Sequence, residues 1–194
     1  MSVNDKALLK PSAVHVYFAP ADTPRPTTYA ELKAPKSPWV EVGHTTADNL
    51  VDFQYEGGER ATLATAQKAA ARESVSDIIE SFGVNLLEWT KDSAELYYGS
   101  NVRLLADGAV EIPSKPVPKE GALLVILEDG EDIAGFYAAK ASAFRNSAIA
   151  ASDMNSLAQL PVKFTGLQAD GKDSAITLIP KRAKTDPEPD GAGA

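Results

Sequence analysis

The sequence predicts a mostly β fold, a β-sandwich or partial barrel flanked by one short α-helix, with long loops and terminal arms. Three observations carry this. Short apolar or alternating runs recur from Val14 to Ile179, and turn dipeptides such as Asp107-Gly108 separate several of them. The stretch Ser76 to Gly99 changes hydrophobic period halfway along, from a strand into a single helix.

The elements follow in order. Residues 1–12 read as an N-terminal arm, because Pro11 ends any local helix. Residues 13–180 form the β domain and 181–194 a flexible C-terminal tail, since nothing from Pro180 onward has apolar periodicity. Val14 to Phe18 is a strand. Five prolines between Pro20 and Pro38 deny that segment a regular ladder and make it a long loop. Order resumes at Trp39 to Val42, and Gly43 to Thr46 reads as a strand end or bulge. From Leu50 to Glu56 the alternation is strict. Val51, Phe53 and Tyr55 are expected on the core, with Asp52, Gln54 and Glu56 on water, before Gly57-Gly58 permits a bend.

Residues 61–72 are rich in alanine, which favours helix, yet hold few large apolar anchors; they are expected as an exposed loop or short helix. Phe82, Val84 and Leu86 then alternate with Ser81, Gly83 and Asn85, and Trp89 is expected to join them in the core. Asp77 shares the polar parity with Ser81 and Asn85. Thr90 and Asp92 supply cap acceptors for a helix from Asp92 to Tyr98, with Glu95 placed to reach back and Gly99 as the stop. Hairpins follow at Val102–Leu105 with Val110–Ile112, at Leu123–Leu127 with Ile133–Tyr137, and at Val162–Leu167 with Ala175–Ile179. Ala141 to Ala151 fits strand or helix, and Asp153 to Leu160 a turn or short helix.

Composition narrows the function. The chain has 194 residues, 44% of them hydrophobic, which suffices for one core. With 27 acidic against 19 basic residues, its net charge of −8 disfavours a surface built to neutralise phosphates. No apolar run is long enough to span a bilayer, and the N-terminus lacks the pattern of a signal peptide. Cysteine is absent, which removes disulfides, thiolate metal sites and a cysteine nucleophile. His15 and His44 have no third ligand at metal spacing and read as structural. The carboxylates from Glu128 to Asp132 surround Gly130 without the calcium-loop spacing and read as a solvated hairpin tip. No nucleophile elbow, phosphate loop or dinucleotide motif occurs. Catalytic, cofactor and metal residues are therefore all expected to be none.

Three short motifs in sequence order carry a resemblance: Trp39-Val40-Glu41-Val42-Gly43-His44-Thr45-Thr46, Leu96-Tyr97-Tyr98-Gly99 and Leu160-Pro161-Val162-Lys163-Phe164. Together, over about residues 12 to 180, they resemble the major tail tube proteins of bacteriophages with long, non-contractile tails. The alanine-rich 61–72 stretch and Asp48-Asn49, where a glycine turn is more usual, depart from that pattern. The resemblance implies a structural virion protein whose hexameric rings stack into a tube that conducts DNA during ejection. It implies as partners further copies of the chain and other tail proteins such as tape measure and tail terminator. It implies that DNA passes through the lumen without specific binding and that no membrane is involved. It implies location in the virion tail, after a stage in the host cytoplasm.

The competing readings are another virion protein, such as a tail terminator or capsid decoration protein, and a small-ligand-binding β-barrel. Within a tube, the alternation makes Asp52, Glu56 and Asp77 candidate lumen-facing residues, although the outer wall would satisfy the same acids equally. The 20–38 loop, the 57–74 segment and the terminal arms are expected to order on stacking.

Overall fold

The computed structural model describes residues 4–47, 50–149, 151 and 154–186; Asp48-Asn49, Asp153 and the tail from 187 lie outside the described residues. After a 3-10 turn at Asp5–Ala7, the elements are β1 (Ala13–Ala19), α1 (Tyr29–Lys33), β2 (Val40–Glu41), β3 (Asp52–Gly57), β4 (Arg60–Thr65) and β5 (Lys68–Val75). They continue with β6 (Ile78–Leu86), α2 (Lys91–Tyr98), β7 (Arg103–Leu104), β8 (Val110–Glu111), β9 (Lys119–Asp129), β10 (Asp132–Arg145), β11 (Leu160–Leu167) and β12 (Thr177–Arg182).

The main sheet runs β2-β1-β9-β10-β11-β6-β3, with β12 also on β10. It curls until its ends meet. Residues 40–42 pair with β1, and two residues further on the same segment pairs with β6: Thr45 bridges Leu86, and the Leu87 N–H donates to the His44 carbonyl at 2.9 Å. Gly43, with φ of +97°, sits where the segment changes partners, a conformation that a side chain would strain. The Trp39 to Thr46 motif thus closes a barrel. Phe18 and Phe164 meet inside it, ring centroids 5.8 Å apart.

The unbroken apolar run of β9 is explained by burial on both faces. Leu123, Val125 and Leu127 point into the barrel with Phe82, Val84, Leu86 and Phe164, while Ala122, Leu124 and Ile126 pack outside it against Leu32, Trp39 and Ile179. Leu32 belongs to α1, so the 20–38 segment contains a second helix that the proline count hid. Thr28 and Glu31 form its capping box. That segment has a local core of its own through Leu32.

α2 follows β6 and seats Leu96 and Tyr97 in the barrel core. Its cap differs from expectation. Thr90 and Ser93 form the capping box, and Glu95 is instead held by Lys119 at 2.7 Å and Lys91 at 2.9 Å. Trp89 is 59% exposed and lies outside the core, because it falls between the end of β6 and the cap of α2.

The third expected hairpin is not one. β11 and β12 both pair with β10, which spans 14 residues, on successive lengths of it. β12 also runs through Pro180 to Arg182. The tip at Glu128 to Asp132 is not simply solvated: Lys181 lies 2.9 Å from Asp129 and 3.0 Å from Asp132, and Lys33 lies 2.7 Å from Glu128. The first two hairpins form as expected, and Ala141 to Arg145 is strand.

Candidate assembly surfaces

The segment read as loop or helix is an antiparallel hairpin. β4 and β5 pair Arg60 with Val75, Ala61 with Ser74, Thr62 with Glu73 and Leu63 with Arg72. Local alanine propensity loses here because β3 and β6 already lie side by side. The Gly58 N–H donates to the Asp77 carbonyl at 3.2 Å and the Ser76 N–H to Glu59 at 3.0 Å, so the ladder simply continues outward. Gly57 and Gly58, with φ of +87° and +74°, kink it at the base; a Cβ on Gly57 would lie 2.1 Å from the Asp77 carbonyl oxygen.

Every residue of β4 and β5 is exposed. An eight-residue strand extends about 25 Å, so the hairpin is an arm projecting from one end of the barrel. Two strands alone are marginal in water, and Leu63 and Val75, each 56% exposed, lack a local core.

The second surface is the outer face of β10, β11, β6 and β3. Register aligns Ser142, Thr165, Ser81 and Gln54 in one row across these four strands, and Phe144, Lys163, Gly83 and Asp52 in the next. Among the sequence-predicted residues, Asp52 and Glu56 share this face. The Gln54 amide donates to Asp52 at 2.5 Å, and Lys163 Nζ lies 2.8 Å from Glu56, holding that carboxyl below its ordinary pKa through a hydrogen bond and its charge. Asp77 lies just before β6, at the kink, with its backbone carbonyl engaged by Gly58. The three acids do not converge on one point. The sequence missed Lys163, whose proximity to Glu56 comes from pairing across the sheet.

The opposite parity of β3 is less buried than expected. Phe53 packs edge-on against Phe82, centroids 5.3 Å apart, but stays 47% exposed, and Tyr55 is 72% exposed. β3 is the last strand on its path, and among the described residues no layer covers it there. Ser81, expected on water, is buried within its four-strand row.

Comparison with known proteins agrees with the motif reading. A family model described as "Phage tail tube protein" matches residues 1–189. The chain is 35% identical over 178 residues to the "Major tail protein Gp23" of Mycobacterium phage D29, covering 86% of this chain and 88% of that protein. It is also 35% identical over 182 residues to the protein of the same description in Mycobacterium phage L5, with the same coverage.

Proposed function

The chain belongs to the phage tail tube protein family and is a structural component of the tail, and from that premise we propose that its copies close into hexameric rings that stack through the projecting arm. The observation that carries this is the arm itself: a two-stranded hairpin, exposed along its whole length, that among the described residues joins the barrel at its base, and two strands alone gain stable order from a neighbour's cover. The stacked rings enclose a channel for DNA ejection. Tape measure and tail terminator proteins are the further partners, and subunits wait in the host cytoplasm before assembly. The role is structural rather than catalytic.

In this arrangement the row of Ser142, Thr165 and Gln54, which buries Ser81 between them and is flanked by Asp52 and Glu56, faces the channel. Asp77 stands at its edge. Such a lining holds few cations, and DNA slides past it because each phosphate contact that must break slows movement. Acid rings act weakly on DNA beyond about 8 Å at physiological salt.

Replacing residues 60–75 by Asn-Gly tests the arm, since Glu59 and Ser76 already face each other as a tight turn requires. The shortened protein should melt like the wild type and form no tubes in negative-stain micrographs; tubes of normal length would overturn the reading. For the lining, Asp52→Lys with Glu56→Lys should leave assembly intact and slow ejection. Unchanged ejection would remove these residues from the channel.

A further inference from the structure

We propose that a groove at the far end of the barrel is the seat of the arm of a second copy of this chain. The inference rests on the self-assembly reading above and names the acceptor that it leaves open. β1 and β6 run in the same sense and β9 against them, so β1 and β6 finish where β9 begins. There a groove of about 430 Å³ opens between the barrel rim and the first turn of α2. The arm departs from the other end, where β6 starts.

The two surfaces complement each other. The groove has an apolar floor that includes Phe18, Leu96 and Val40, the last 61% exposed. Its rim carries Glu41, Glu88, Asp92 and Glu120. The rim's ammonium, Lys119, is directed to Glu95 at 2.7 Å. Glu41 and Glu120 are engaged by His15 and Lys140, whereas among the described residues Glu88 meets the His44 backbone at 3.0 Å and the edge of its ring at 4.0 Å. Among the described residues Asp92 has no cation within ion-pair distance.

The arm is the reverse. In a chain of net charge −8, its strands hold Arg60, Lys68 and Arg72 against Glu73 alone. Arg60 is 3.5 Å from Glu73, which leaves Lys68 and Arg72 without a carboxylate partner among the described residues. Its many alanines keep the hairpin thin enough for a shallow groove, and Leu63 offers an apolar contact for Val40.

Because donor and acceptor occupy opposite ends of one barrel, their pairing is head-to-tail. A contact of that kind propagates instead of closing a dimer. Lys68 and Arg72 thus meet Glu88 and Asp92 of the next copy along the stack.

A charge swap tests this on the full-length protein, with the critical concentration for polymerisation read by sedimentation and each monomer's melting measured alongside. Lys68→Glu with Arg72→Glu should raise the critical concentration about tenfold or more, as should Glu88→Lys with Asp92→Lys, and all four together should restore it to within about threefold. The milder Glu88→Gln with Asp92→Asn, which leaves the fold least disturbed, should raise it in the same direction. A quadruple variant no better than the doubles, or a well-folded double that polymerises like the wild type, would overturn the groove. Failure of the underlying reading looks different: tubes would then form from the Asn-Gly arm replacement as well.

Discussion

Truncating Leu96 to alanine tests whether α2 is integral to the barrel. The side chain is 4% exposed and joins the barrel core, so its removal deletes three buried carbons. At about 0.8 kcal/mol for each, the transfer loss is about 2.5 kcal/mol. The range for such truncations is about 2–5 kcal/mol, the upper part coming from sealed cavities. Leu96 also borders the groove, so the space it vacates opens toward water and the lower value is expected. For a chain of this size that lowers the melting temperature by about 5 to 10 °C. Urea unfolding of the monomer should show an earlier midpoint with an unchanged slope. A loss below about 1 kcal/mol would refute the seating of α2.

Tyr97→Phe removes the hydroxyl that donates to the Ser147 carbonyl at 2.7 Å and should cost about 0.5–1.5 kcal/mol in the same assay. Gly43→Ala should cost about 1–3 kcal/mol from its φ of +97°, and a Glu88→Ala background should not rescue it; rescue would mean that the nearby carboxylate, not the backbone, sets the cost. Burial pushes the Glu95 carboxyl up, but hydrogen bonds from Lys119 and Lys91 outweigh it and hold the pKa below its ordinary value. The folded state then prefers the ionised form. Its stabilisation is present above the ordinary carboxylate pKa and is lost as pH falls through the lowered one, so wild type should lose more stability than Glu95→Gln on acidification from about pH 5. Amide exchange across residues 60–75 should be fast in the monomer and slow in the tube; equal rates in both states would contradict a covered arm.

What the sequence made legible was period. The strand containing Phe82, Val84 and Leu86, the doubly buried Leu123–Leu127 and the Leu96-Tyr97 face of α2 all announce themselves through spacing. Parity did not reveal which faces a second layer covers, which is why Tyr55 and Trp89 were expected inside. Pairing across long separations was hidden as well: nothing local in Ala175–Ile179 selects β10 over β11, and nothing near Glu56 points to Lys163. The arm escaped notice because alanine has no amphipathic signature and its turn at Ala66-Gln67 carries no glycine or asparagine. For the candidate lining, Asp52 and Glu56 were correctly set on one face, but the hydroxyl row between them emerges only from the ladder.

The sheet order also governs timing during synthesis. Val16 of β1 pairs with Val125 of β9, so the first strand waits for most of the chain before it has its partner. The arm needs only its own neighbours. Walls of the groove come from residues 18–20, 40–43, 88–96 and 119–120, and the last of these pair with Ala143 and Ser142 of β10. At about 5–20 residues per second, the arm of a nascent chain is synthesised several seconds before that chain's own groove can be complete. Pairings of such separation also form slowly once available. On the stacking proposed above, the far-flung partnership of β1 with β9 ties the completion of each subunit's groove to the translation of most of its chain.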